Sequence, residues 1–321
     1  MRAIVADSAP MIHEVRVRAA CDAVAMSADE AWSSAQVLGE SLRGTGYLPD
    51  PGLSTVAWLA MRLHRPLLLE GEPGTGKTAL AEALAQVTGA PLIRLQCYEG
   101  IDASQALYDW DVTRQVLHLR ALEATRGDQR IDVEAAERSL FDERFLLARP
   151  VLAALRTSPS VLLVDEIDRA DDEFEAFLLE VLSTYAVTIP ELGTVTAAQP
   201  PIVVLTSNRT REVHDALKRR CLYHWVEHPG LVREIEIVRS RVPQVPQRLA
   251  EQVAAAAQRL RTIGLLKPPG VAESLDWARC LVELGAQELD TEVAATTLGA
   301  VLKYREDADR VRQDLARLLA G

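Results

Sequence analysis

The eight residues Gly71–Thr78, GEPGTGKT, restrict the possible folds of this chain more than any other stretch. They satisfy the pattern G-x-x-x-x-G-K-[ST], follow the apolar run PLLLE (Pro66–Glu70), and open a helix-forming segment from Thr78 to Thr88. In that setting Gly71, Gly74 and Gly76 let the backbone bend until its N–H groups converge on phosphate oxygens, with Glu72, Pro73 and Thr75 completing the loop. The start of the following helix adds a positive dipole end. Lys77 is placed to reach the β- and γ-phosphates, and the Thr78 hydroxyl to ligate Mg²⁺. A glycine turn followed by a chance Lys-Thr would need neither the strand before it nor the helix after it.

A second stretch, VLLVDEID (Val161–Asp168), runs four apolar residues straight into acids. Such a run reads as a buried strand, and carboxylates at its end are costly unless a cation or hydrogen bonds meet them. The phosphate loop supplies the cation: Mg²⁺ carried by the nucleotide, oriented by Asp165 through its water shell. Alternation along a strand sends the next residue to the other face, so Glu166 is the candidate base that polarises water attacking the γ-phosphate. A solvated acidic loop is the alternative. A guanine signature Asn-Lys-x-Asp is absent from the sequence, which favours ATP over GTP.

The phosphate-loop strand is joined by PLIRLQC (91–97), SVLLVDE (160–166), PPIVVLTSN (200–208) and CLYHWVEH (221–228), with helical stretches between them. Strand–helix alternation of this kind gives an α/β fold with a mostly parallel five-stranded sheet. Upstream, a helix is expected over Ala28–Arg43, capped near Ser27 or Asp29, then a loop over Gly44–Gly52 and a helix over LSTVAWLAMRLH. After Pro229 the chain turns rich in Ala, Leu, Arg and Glu, as an all-helical domain would be. The expected division is a helical extension over 1–45, an α/β core over 46–229 and a helical lid over 230–321.

Of 321 residues, 48% are hydrophobic and 25% charged, which is enough for generous cores, and the net charge of −11 argues against broad capture of nucleic acid or anionic lipid. Cys21, Cys97, Cys221 and Cys280 lie far apart, with no metal-ligand spacing, as reduced thiols in a cytoplasmic protein would. The first residues lack a signal-peptide core, and no apolar segment approaches the ~20 residues a membrane helix needs.

GEPGTGKT and VLLVDEID, joined by VVLTSN and by HDALKRRC, together resemble the AAA+ ATPases over roughly residues 45–321. The resemblance implies an AAA+ P-loop NTPase domain followed by an all-helical lid, acting as an ATPase with ATP and Mg²⁺. It makes Asn208 the sensor that holds the attacking water or γ-phosphate. It also makes Arg220, ahead of Arg219, an arginine finger given to a neighbouring copy's site, where a planar cation suits transition-state charge. A solvated basic helix end is the other reading of that pair. RPLLLEGEPGTGKTALAEALA and QCYEGIDASQALYDWDVTRQVLHLR are more closely similar to MoxR-type AAA+ proteins, in the CoxD-like branch tied to maturation of carbon monoxide dehydrogenase. That resemblance implies a homo-oligomeric ring, usually hexameric, and a von Willebrand A-domain partner. It implies a protein client such as a molybdenum-containing dehydrogenase awaiting its metal cofactor, with neither nucleic acid nor membrane insertion involved. The Tyr108–His118 region corresponds to a family insert, making Tyr108, Trp110 and His118 candidates for contact with a client, while Trp110 could equally be buried against the core. Thr188–Pro201 resembles a hairpin aimed at the ring pore.

One departure stands out. The family places an arginine at the start of a lid helix, but here PPGVAESLDWARCL puts Glu273 near that position, leaving Arg279 to reach the γ-phosphate from further along or to be a surface charge. HWVEH (224–228) fits the zinc-peptidase pattern H-x-x-E-H, yet its flanks favour a strand, which would hold the two histidines roughly 13 Å apart, too far for one Zn²⁺. Two further readings compete with ring-driven hydrolysis: a binding switch that turns ATP over negligibly, and a DNA-acting machine such as a clamp loader. The intact Asp165-Glu166 pair opposes the first and the acidic balance the second.

Overall fold

A computed structural model describes residues 32–126 and 133–320. The elements run α1 (Ala35–Gly44), α2 (Pro51–Leu63), β1 (Leu67–Glu70), α3 (Lys77–Thr88), β2 (Leu92–Gln96), α4 (Ala103–Leu107), β3 (Tyr108–Trp110), α5 (Val112–Arg126) and α6 (Val133–Leu140). They continue with β4 (Leu146–Ala148), α7 (Pro150–Arg156), β5 (Val161–Asp165), α8 (Asp172–Thr184), β6 (Ala186–Ile189), β7 (Gly193–Thr196), β8 (Ile202–Ser207), α9 (Asp215–Arg220) and β9 (Leu222–Trp225). Five helices follow: α10 (Leu231–Arg241), α11 (Gln247–Thr262), α12 (Val271–Glu283), α13 (Thr291–Val301) and α14 (Arg305–Ala320).

The central sheet has the order β2-β5-β8-β1-β9, and all of its neighbours are parallel. Alternation along β1 explains why both faces must be covered. Leu67 and Leu69 enter a core with Leu38, Leu42, Leu53 and Leu80, so α1, α2 and α3 cover that face. Leu68 points the other way, into a core with Leu155, Phe174, Leu178 and Leu217 from α7, α8 and α9. The helical region after Pro229 has a separate core built on Leu249, Val253, Trp277, Leu281 and Leu298.

Helix α1 starts later than its sequence suggests. Ser34 is its cap, the hydroxyl accepting from the Val37 amide at 3.3 Å, while Ser27 and Asp29 lie outside the described residues. Helix α2 begins inside the expected loop, because Asp50 caps the Leu53 amide at 2.7 Å and Pro51 fits a first turn that has no use for its N–H. The Tyr108–His118 region forms an antiparallel β3–β4 pair closed over α5 and α6. Trp110 packs within this insert rather than against the sheet core, edge-on to Phe141 with ring centres 5.3 Å apart. His118 faces Arg144 at 3.0 Å, so it too is engaged inside the insert. The stretch before β8 forms the β6–β7 hairpin.

Candidate functional site

The carboxyl ends of β1, β5 and β8 open into a cavity of about 460 Å³, the place where open parallel sheets bind ligands. One wall is the phosphate loop, residues 73–78, and the opposite wall is α10 and α12 of the helical region. Lys77 is buried and its Nζ donates to the carbonyls of Gly71 and Glu72, both at 2.8 Å. Burial pulls its pKa from 10.5 down to about 8, against the opposing pull of Asp168, Asp165, Glu166 and Glu72.

Asp165, buried at the end of β5, is met by donors on both carboxylate oxygens. Oδ1 accepts from the Thr78 hydroxyl at 3.1 Å and from the Thr206 hydroxyl; Oδ2 accepts from Arg94 Nη2. Thr78 and Asp165 therefore present a hydroxyl and a carboxylate side by side, hard oxygen ligands of the kind Mg²⁺ selects through its water shell. The residues fit that ion.

Glu166 departs from the strand-alternation expectation. β5 ends at Asp165, and Glu166 adopts a left-handed conformation (φ 56°, ψ 50°), held by its amide donating to Thr206 Oγ1 at 2.9 Å. Residues other than glycine rarely sit there, and such strain collects at functional sites. The turn swings the Glu166 carboxylate back, so both acids line one cavity. Asn208 Nδ2 stands 3.5 Å from Glu166 Oε1, while Gln96 donates to Oε2 at 3.2 Å and Arg169 at 3.0 Å. Asp168 serves the backbone instead. Nearly fully buried, it accepts from the Asn208 amide at 3.2 Å and the Thr210 amide at 2.8 Å, fixing the chain just past β8.

Arg279 is absent from the cavity lining, as are Arg219 and Arg220, which were expected at a neighbouring copy's site rather than at this one. Arg219 and Arg220 end α9 with exposed side chains, and neither guanidinium has a hydrogen-bond or ion-pair partner among the described residues. Their carbonyls are pinned by Arg65, at 2.9 Å and 3.1 Å. Arg279 pairs with Asp276 at 3.0 Å on the surface of α12, outside the cavity wall. Glu273 instead caps its own helix, its Oε2 accepting from the Gly270 amide at 2.9 Å.

The wall opposite the loop was silent in the sequence. Ile237 and Leu275 supply apolar surface there, Tyr47 and Val226 add to the lining from the α/β side, and Arg233 donates to the Leu48 carbonyl. α12 clasps the loop directly: the Val271 amide donates to the Gly74 carbonyl at 2.8 Å. A side chain at Gly270 would meet Gly74 Cα at 2.7 Å and the Pro73 carbonyl at 2.9 Å, so only glycine permits this approach. Thr206 carried a weak signal, as a polar residue in the apolar VVLTSN. Residues joined only by the fold, 47 with 275 for example, carried none.

The zinc pattern dissolves in the same way. His224 sits on β9 beside Asp50 at 3.5 Å, and His228 bonds Glu72 at 2.9 Å. Among the described residues no cluster of three or more potential metal ligands forms. Nor is any described helix long and apolar enough to cross a membrane.

Residues 66–221 match the AAA domain of the dynein-related subfamily, and the protein has the AAA+ P-loop fold. Over 48 residues the chain is 48% identical to midasin of Giardia intestinalis, a match covering 15% of this chain and 1% of midasin's length. An uncharacterised protein of Staphylococcus haemolyticus is 24% identical over 241 residues, 73% of this chain and 82% of its own. Among solved structures, the RuvB Holliday junction branch migration motor of Thermotoga maritima aligns over 81% of this chain and 68% of that one, at 16% identity and a TM-score of 0.44. The fold assignment rests on the domain match and the strand order.

Proposed function

We propose that this AAA-domain protein binds Mg-ATP in the cleft between the phosphate loop and the helical lid and hydrolyses the terminal phosphate. The observation that carries this reading is the convergence of Lys77, Thr78, Asp165, Glu166 and Asn208 on one cavity from separate segments of the chain. The loop amides and Lys77 hold the phosphates, and Thr78 with Asp165 would hold Mg²⁺. When bound, the ion neutralises charge on the phosphate oxygens. Glu166 accepts a proton from the attacking water, Asn208 orients that water beside it, and the bond between the γ-phosphorus and the ADP oxygen breaks to give ADP and phosphate.

The site reads as incomplete in one chain. Arg219 and Arg220, exposed and with guanidinium groups that have no partner among the described residues, suit a contact made to a neighbouring copy in a homo-oligomeric ring, hexameric by resemblance. Hydrolysis there would drive remodelling of a protein client. The finer reading, from resemblance, is a maturation chaperone that works with a von Willebrand A-domain partner to help insert or activate the metal centre of an oxidoreductase, such as a molybdenum-containing dehydrogenase.

Phosphate release measured over rising protein concentration tests the reading. Specific activity should climb with concentration in the unaltered chain and stay near zero for Arg220→Ala. Activity absent at every concentration would point to a switch, and activity independent of both concentration and Arg220 would remove the ring.

A further inference from the structure

Four cations line the cavity: Lys77, Arg94, Arg233 and Arg241. Arg233 is committed to the Leu48 carbonyl and to Asp50. Arg241 lies beside Gly46, and neither arginine is hydrogen-bonded to Asp165 or Glu166. A triphosphate entering the acidic end would therefore meet Asp165 and Glu166 with Lys77 and Arg94 as the protein's own positive charges. Glu273, whose Oε2 lies about 3.1 Å from where a Gly74 side chain would begin, adds negative charge on the lid side of the loop.

Arg94 is built for more than neutralising Asp165. It stands on β2 with Gln96, two residues on and therefore on the same face of the sheet, and its partner Asp165 is buried while Arg94 is half exposed. Its hydrogen bonds run through one nitrogen: Nη2 donates to Asp165 Oδ2 at 2.5 Å and to Gln96 Oε1 at 2.7 Å. Nε and Nη1 carry three further N–H donors, with no acceptor among the described residues. A guanidinium fork can hold a carboxylate with one edge and offer another to a second anion, which an ammonium cannot do in fixed geometry. Asp165 and Glu166 flank the place where the reading above puts the outermost phosphate, and Arg94 is bonded to the first of them.

We propose that Arg94 is a further binding residue for the terminal phosphate of a nucleoside triphosphate, positioned by Asp165 and contributed within the same chain. The proposal rests on the ATP reading of this cleft and adds the group by which the site tells triphosphate from diphosphate.

The test is calorimetric binding of Mg-ATP and Mg-ADP to a Glu166→Gln chain, which prevents turnover, with Arg94→Ala and Arg94→Lys added to it. Losing a charge-assisted contact should weaken Mg-ATP by about tenfold or more in Arg94→Ala and leave Mg-ADP within about twofold. Arg94→Lys should fall between, and unchanged ADP binding shows that both variants are folded. Parallel weakening of ATP and ADP would mean that Arg94 only orients Asp165, and no change in either would remove it from the site; both overturn the proposal. If the Glu166→Gln parent took up neither nucleotide, the ATP reading itself would fall and the role of Arg94 with it.

Discussion

The two walls of the cleft are built on different principles. The phosphate-loop wall is a continuous segment whose geometry is fixed locally: a strand ends, glycines turn, a helix starts, and Lys77 folds back onto the carbonyls of Gly71 and Glu72. The lid wall is assembled from Arg233 and Ile237 of α10 and Val271 and Leu275 of α12, brought together by tertiary packing alone. Its stiffness comes from one buried group. Glu234 is fully buried and receives a two-pronged contact from Arg261, both bonds at 2.6 Å, plus the Ser274 hydroxyl at 2.8 Å, tying α10, α11 and α12 into one block. That block sets the α12 N-terminus against Gly74. The loop wall is specified by its own short segment, whereas the wall facing it is held by contacts remote in the chain.

Alterations on the two walls should therefore fail differently. Glu166→Gln should lower turnover at least about a hundredfold while nucleotide binding and thermal midpoint stay unchanged, measured by phosphate release beside a melting curve; a large loss of stability would mean that the contacts of Glu166 with Gln96 and Arg169 hold the end of β5 in place. Arg261→Met should do the reverse, leaving the buried Glu234 unpaired and costing about 3–5 kcal/mol in urea unfolding, with the helical region losing its protection first in amide hydrogen exchange. Gly270→Val probes the seam, since its side chain cannot coexist with Gly74 Cα and the Pro73 carbonyl; ATP affinity should fall about tenfold, with a stability loss of about 1–3 kcal/mol.

Titration gives a smaller effect confined to the loop wall. Burial favours the neutral form of Lys77, so its charge is lost as pH rises through about 8 rather than 10.5. Triphosphate affinity should hold below pH 8 and weaken by up to about tenfold per pH unit above it; a flat profile to pH 10 would show that Lys77 keeps its charge. Smallest of all, burial pushes the Cys97 and Cys221 thiols up to about 12, so among the described cysteines the exposed Cys280 alone should react with a thiol reagent at pH 7.5. Reaction of Cys221 in the folded protein would show that the α9–β9 junction opens.

The same contrast explains what could be read from sequence. Lys77, Thr78, Asp165 and Asn208 could be singled out because each lies in a short segment that carries its own strand or helix context, and the structure brings all four to one cavity. Glu166 could be named as the candidate base, but the face it occupies was not legible, since its left-handed turn depends on Thr206 from another strand. Of the two readings of Arg279, the structure has the surface charge, and spacing alone could not choose because it does not reveal the pairing with Asp276. Arg94 gave no signal at all: its meaning comes from β2 lying next to β5, which puts Gln96 in register with Asp165.

The most direct test of the central claim is isothermal titration of Mg-ATP into the unaltered chain and into Lys77→Ala. Saturable uptake at one site per chain is the predicted result, with affinity reduced at least about a hundredfold by the substitution. No heat of binding in the unaltered chain, or equal affinity in Lys77→Ala, would contradict it.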